Sequence, residues 1–307
     1  MNAQPSRFWD SLGERHREEL ATYGFELIKR RQALRYFTWR WNFGALRRSE
    51  QMRFLLTHTS IPTWLACATR PSDLSDAAWE GVPWSRADRW LYTFAVRLLW
   101  QYAARRDRLG VLRLDEPSLG GPLPVRWRGR LISQDLANGA LEAEAIGRAL
   151  AGRAPRSILE VGGGYGRTAY VLMSLFPGAD YTIVDIEPAR SISRWYLSQL
   201  FPPARLRFLS PDEAEGLAPG SFDFAVSISS LHEMLPEQVA AYLALFDRLV
   251  GGGRVYLKQW QSWFNPVDRV TLRFSDYPIP SRWRKLFDEP APVQTRFQQA
   301  TWEVPPD

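Results

Sequence analysis

The sequence predicts an α/β protein: a Rossmann-like, doubly wound parallel sheet with a C-terminal antiparallel hairpin, preceded by an N-terminal helical cap. Three observations carry this expectation. An apolar strand, Ser157 to Val161, runs straight into Gly162-Gly163-Gly164-Tyr165-Gly166 and then into a helix from about Arg167 to Phe176. Further strand-like segments follow at 181–185, 206–209, 221–229 and 254–258, separated by helical patterns, which is the alternation of a parallel sheet. The last segments, about 281–288 and 293–304, fit a closing antiparallel hairpin.

Before the glycine loop the chain is helical and rich in aromatic residues. Leu20, Tyr23, Leu27, Leu34 and Phe37 recur at helical spacing and predict an amphipathic helix over about 14–40. A second helix is expected over 87–109, with Trp90, Leu91, Phe94, Leu98 and Tyr102 facing inward. Residues 61–83, punctuated by Pro and Ser, read as loops with short helical turns, and Pro117 to Pro124, with Gly120 and Gly121, reads as a linker. The expected division is therefore a helical region over 1–124 and a cofactor domain over 125–307. Trp39, Trp41 and Phe43 are candidates for a platform that stacks on sugar rings, or for plain core packing.

The glycine loop fits two cofactor templates. Gly164-Tyr165-Gly166-Arg167-Thr168-Ala169 satisfies G-x-G-x-x-A, the dinucleotide fingerprint, with Asp185 at a suitable distance to hold a ribose. Read from Glu160, the pattern is Glu-x-Gly-x-Gly-x-Gly, which resembles the first motif of class I S-adenosyl-L-methionine (SAM) methyltransferases. That resemblance implies cofactor contacts from Glu160, Gly162, Gly164 and Gly166. A carboxylate at Glu160 favours the cationic methionine portion of SAM and would repel a pyrophosphate. Asp185, ending the second strand, is placed to accept from both ribose hydroxyls under either template. Asp212, just after the third strand, is a candidate acceptor for the adenine amino group, or else a helix N-cap.

A narrower resemblance, to the family of sugar O-methyltransferases, covers most of residues 115–304. It rests on Leu131-Ile132-Ser133-Gln134-Asp135-Leu136-Ala137-Asn138, on Ser230-Leu231-His232-Glu233-Met234, and on Tyr256-Leu257-Lys258-Gln259-Trp260. Asp276-Tyr277-Pro278-Ile279-Pro280 with Trp283, and Val293-Gln294-Thr295-Arg296-Phe297, add to it. The resemblance implies the class I methyltransferase sheet, SAM as cofactor and a sugar hydroxyl as acceptor, in a nucleotide sugar, a polysaccharide or a glycosylated natural product. The chain departs from the family after Phe297, where Gln298 and Gln299 stand in place of an acidic residue.

Methyl transfer to an alcohol is an in-line displacement, helped by positioning and by a base that takes the hydroxyl proton. His232, just beyond the fourth strand, is the candidate base, since histidine titrates near neutrality. Glu233 is the candidate that orients it, accepts a sugar hydroxyl or acts as the base itself. A structural role for the pair at the start of the next helix is the alternative. Lys258 and Trp260, ending the fifth strand, are candidate substrate ligands, Lys258 through an anionic group on the acceptor. An NAD(P)-dependent oxidoreductase and a noncatalytic SAM-binding module are the rival functions.

Composition bounds the rest. The net charge of +6 comes from 36 Arg and three Lys spread along the chain, which argues against a nucleic-acid partner. No apolar run is long enough to span a bilayer and the N-terminus lacks the pattern of a signal peptide, so no membrane partner and a cytoplasmic location are expected. A lone Cys67 and three histidines, His16, His58 and His232, leave no ligand cluster for a metal.

Overall fold

The structure, a computed structural model, describes residues 6–31, 34, 38, 49–68 and 85–306. Trp39, Trp41 and Phe43, the candidate stacking platform, lie outside the described residues. The chain divides into two compact units. One comprises the described residues of 18–145 with 292–294; the other comprises those up to 17, 146–291 and those from 295 onward.

The first unit is mostly helical. Helix α1 (Arg7–Tyr23) starts in the other unit, and its end is set by Gly24, whose φ of 63° is readily reached by glycine and whose N–H bonds the Leu20 carbonyl at 2.9 Å. The helix expected over 14–40 therefore stops at Tyr23. Helices α2 (Glu50–Thr57) and α3 (Ile61–Ala68) follow, and α4 (Arg86–Ala104) opens on Ser85, whose side chain accepts from the Asp88 N–H. Leu98 and Tyr102 are buried as expected, but Trp90 is 46% exposed and stacks on Phe94. Cys67 is buried, and burial pushes its thiol up to about 11, consistent with an inert core position.

The expected linker is instead packed. Gly120 accepts from the Lys29 N–H at 2.8 Å, and a Cβ on it would lie 2.7 Å from Ile28. The strands β1 (Arg126–Trp127) and β2 (Arg130–Leu131) form a hairpin across Arg128 and Gly129, both at positive φ. The buried Arg97 guanidinium donates to the Arg126 carbonyl at 3.0 and 3.1 Å. Glu116 accepts from Ser133 Oγ and from Lys29 Nζ, the latter at 2.7 Å. These bonds hold residues 125–135 in the helical unit, and the two compact units divide at 145/146, inside α5 (Gln134–Leu150).

The second unit carries the sheet. Strand β3 (Ser157–Val161), helix α6 (Arg167–Leu175), β4 (Asp180–Val184), α7 (Ala189–Leu197), β5 (Leu206–Leu209) and α8 (Pro211–Glu215) alternate in sequence. Then come β6 (Phe224–Ile228), α9 (Pro236–Leu249), β7 (Arg254–Trp260), a hairpin of β8 (Ser262–Asn265) and β9 (Val270–Arg273), and finally β10 (Arg284–Pro290) and β11 (Phe297–Glu303). The seven-stranded order is β10-β11-β7-β6-β3-β4-β5, with β3 to β7 parallel and β11 antiparallel to both neighbours. This is the sheet expected from the sequence, with its antiparallel C-terminal pair.

Local chemistry sets the register. The Asp223 carboxylate, just before β6, accepts from the N–H groups of Arg156 and Ser157 at 2.9 to 3.2 Å, which pins the start of β3 beside β6. Helix α9 buries Val239, Leu243 and Phe246 in one cluster with Leu159, Ala225, Leu257, Ala300 and Trp302 of the sheet, removing a continuous apolar layer from water. The β8–β9 hairpin was not foreseen. Its turn is built by Asn265, whose Oδ1 accepts from Val267 and Asp268 N–H groups at 3.0 Å each. Asp268 in turn accepts from Arg7 and from the Phe8 N–H, which ties the start of α1 to this unit.

Candidate active site

The chain order reverses across the β3/β6 boundary: β4 and β5 lie on one side of β3, β6 and β7 on the other. At such a switch point the loops leaving adjacent strands run apart and open a crevice beyond the strand ends. Here those loops are Gly162–Gly166 after β3 and Ser229–Glu233 after β6, and they approach closely. Gly162 has a φ of 78°, and a Cβ on it would lie 2.1 Å from Ser230 Oγ. No other residue type fits that position without displacing the β6 loop. Ser229, opposite, is itself held at a positive φ of 57°, a conformation that non-glycine residues adopt at a cost.

Farther round the loop, Gly166 is the N-cap of α6 and its Cβ would meet the Leu197 side chain at 2.8 Å. Helix α6 starts directly at the end of the glycine loop, so the positive end of its dipole lies at that loop. Beneath the loop, Glu160 is 1% exposed, and its Oε2 accepts from Tyr181 Oη at 2.9 Å. Burial, opposed by bonds from Tyr181 and Thr168 and by the Arg167 charge, pushes Glu160 up to about 7. Glu160 thereby joins the end of β3 to β4 and to the start of α6.

Asp185 ends β4 as expected. Its Oδ2 accepts from Gly164 N–H at 3.0 Å and its Oδ1 from Ile186 N–H at 2.8 Å. Each carboxylate oxygen keeps a second lone pair, enough to receive a diol. Desolvation is the main cause that raises Asp185 to about 7; the Glu187 and Glu233 charges add to it. Asp212 is exposed in the first turn of α8, and the N-cap there is Ser210, which forms a capping box with Glu213. Tyr242 shows how these carboxylates converge: burial first, then the charges of Asp185 and Asp212, push its phenol upward.

His232 and Glu233 lie in a short 3-10 turn after β6 and are 2% and 4% exposed. His232 Nε2 stands 3.4 Å from Glu233 Oε1, and Nδ1 stands 3.1 Å from Gln259 Oε1 of β7. The imidazole is enclosed by Trp260, Trp263 and Phe297, with ring centroids 5.7 to 6.2 Å away. Trp260 is thus brought to the pair. Lys258 is only 3% exposed within β7, with its ammonium 5.5 Å from the Phe297 ring centroid.

Three residues at this locus stand in the resemblance motifs but were not read as site residues. Ser230 closes on Gly162, Gln259 bonds the histidine, and Tyr277 is buried near the charge of Glu233, which together with burial pushes its phenol upward. A signal for Gln259 was present: a primary amide alternating with Val255 and Leu257 on the core-facing side of a central strand needs partners for all its polar atoms.

Residues 159–255 match the sequence profile described as a methyltransferase domain. A search of curated proteins gives no match. Among solved structures, the chain is similar to the Burkholderia thailandensis 1,6-didemethyltoxoflavin-N1-methyltransferase with bound 1,6-didemethyltoxoflavin and S-adenosylhomocysteine, at 22% identity over 53% of this chain and 77% of that one, with a TM-score of 0.45. It is also similar to the mitomycin 7-O-methyltransferase MmcR, at 17% identity, 55% and 56% coverage and a TM-score of 0.42. A third is the [4+2]-cyclase SpnF, at 15% identity, 57% and 83% coverage and a TM-score of 0.46. The cofactor of the matched domain is SAM, and the crevice fits it. The loop is stripped of side chains where Gly162 meets Ser230, and Asp185 presents two acceptor oxygens at the end of β4.

Proposed function

We propose that this methyltransferase domain transfers the methyl group of SAM to a hydroxyl of a sugar, carried by a nucleotide sugar, a polysaccharide or a glycosylated natural product. One observation carries the reading. Three other segments on which the resemblance to sugar O-methyltransferases rests, far apart in sequence, supply neighbours of His232 and Glu233. Gln259 and Trp260 come from one, Tyr277 from a second and Phe297 from a third.

In this reading bound SAM supplies an electrophilic methyl carbon, and the chain supplies the rest. Asp185 holds the ribose, Gly162 and Gly164 let the backbone approach, and Asp212 is the candidate adenine acceptor. The aromatic enclosure of Trp260, Trp263 and Phe297 keeps water from competing for the methyl group. His232 and Glu233 receive the proton of the acceptor hydroxyl as the new C–O bond forms. Lys258 and Trp260 are the candidate acceptor contacts. The acceptor is a small molecule or glycan rather than a nucleic acid, in keeping with the dispersed arginines.

The test is methyl transfer from isotopically labelled SAM to a panel of nucleotide sugars and glycans, with product position read by mass spectrometry and NMR. Transfer to a sugar hydroxyl that falls at least tenfold in both His232→Ala and Glu233→Gln, with SAM affinity kept, is the expected result. Transfer only to nitrogen or carbon would remove the O-methylation reading. SAM binding with no turnover on any acceptor would favour a noncatalytic module.

A further inference from the structure

Gln259 is fully buried on β7, and its two amide atoms have different surroundings. Nε2 donates to the Ser227 carbonyl at 3.0 Å and lies 3.2 Å from Ser227 Oγ. Oε1 accepts from the Ser230 N–H at 3.0 Å and faces the His232 N–H at 3.4 Å. Turning the amide over would set its NH2 against two backbone donors and its oxygen against a carbonyl. The backbone of the β6 strand and loop therefore fixes which end of Gln259 faces the histidine.

That end is an oxygen, which can only accept. His232 Nδ1 makes a hydrogen bond with this oxygen at 3.1 Å, in which the ring nitrogen is the donor. When the imidazole is neutral, Nε2 is then the bare nitrogen, and it is the one facing Glu233 Oε1 at 3.4 Å. Without Gln259 the opposite arrangement would be favoured, with an Nε2–H donated to the carboxylate and the basic nitrogen turned away from it.

We infer that Gln259 is a positioning residue that holds His232 as its Nδ1–H tautomer, so that Nε2 and Glu233 Oε1 together form the proton-accepting pair. The inference deepens the function proposed above and takes its chemical meaning from it. As the acceptor oxygen bonds the methyl carbon, its O–H bond breaks and the proton comes to rest on the Nε2–Oε1 pair, while the C–S bonding electrons stay on sulfur. The backbone of β6 and its loop, which also packs against Gly162, thereby orients the base through one amide.

The test is a long-range 15N–1H correlation spectrum of the imidazole groups in the full chain, without cofactor or acceptor. The chain has only three histidines, and His232→Ala identifies the signals of the third. The pH is raised until the ring is neutral. The expected result is a protonated Nδ1 and a bare Nε2 in the wild type, lost in Gln259→Leu. A neutral ring protonated on Nε2 in the wild type would overturn the inference, whether or not methyl transfer is ever observed. In single-turnover transfer, Gln259→Leu is expected to be at least tenfold slower with unchanged SAM affinity; an equal rate would also overturn it. Failure of every acceptor, with the Nδ1–H pattern intact, would count against the proposed function and not against the tautomer.

Discussion

The N–H of Gly164 donates to Asp185 Oδ2 at 3.0 Å, so the glycine loop after β3 and the acidic end of β4 are one unit. Asp185 holds the loop, and in the proposed function the same carboxylate accepts from the cofactor ribose. Asp185→Ala is expected to weaken SAM binding at least tenfold, about 1.4 kcal/mol, in calorimetric titration. NAD and NADP are expected to give no heat with either protein. Unchanged SAM affinity in Asp185→Ala would separate the residue from the cofactor.

Gly162 gives a steric prediction. Alanine there meets Ser230 Oγ at 2.1 Å and Ser230 Cβ at 2.3 Å, on a backbone at φ 78°. Gly162→Ala should cost roughly 2 kcal/mol or more of stability from strain and displacement. Because the Ser230 Cβ clashes too, Ser230→Ala should not rescue it, whereas Ser230→Gly should recover part of the loss. Equal rescue by both, measured by chemical denaturation, would contradict the close approach.

Much of this site was legible because its signals are local. The glycine loop, Asp185 and the His232-Glu233 pair are each set by a few consecutive residues at a strand end, and strand ends follow from apolar runs. Gln259 and Tyr277 were not legible as site residues, since their meaning depends on contacts across 27 and 44 positions of the chain. Trp90 was misread for a different reason. Helix α4 has apolar residues on nearly all sides, with Tyr92, Ala95, Val96 and Leu99 buried as well as Leu98, so its spacing did not single out a face. The end of α1 at Gly24 was readable from a single glycine; an apolar period running on past it masked the stop.

Glu160 yields a pH dependence. Its carboxyl is raised from 4.5 to about 7 in the folded chain, chiefly by burial. The folded state therefore binds the proton more tightly than the unfolded one. The associated stability is fully present below pH 4.5 and is lost as pH rises through about 7. Glu160→Gln keeps a carbonyl acceptor for the Tyr181 hydroxyl and does not ionise. Its unfolding free energy relative to wild type should climb between pH 4.5 and about 7 and then level off. A difference that is flat with pH, in paired urea titrations, would show that Glu160 ionises as easily inside the fold as outside it.

Tyr277 separates binding from folding. It is 7% exposed, and its hydroxyl has no hydrogen-bond partner among the described residues. A buried polar group left unsatisfied costs about 1–3 kcal/mol, so Tyr277→Phe should unfold at equal or higher denaturant concentration than wild type. The hydroxyl lies within the influence of the Glu233 charge, beside the proposed acceptor site, where a sugar hydroxyl would complete its bonding. The same variant should then raise the acceptor KM about tenfold, close to 1.4 kcal/mol, while SAM affinity stays unchanged. Stability kept or raised while acceptor affinity falls is an outcome that packing alone does not produce. A destabilised Tyr277→Phe with normal KM would instead mean that the hydroxyl is satisfied within the fold, and that the acceptor binds without it.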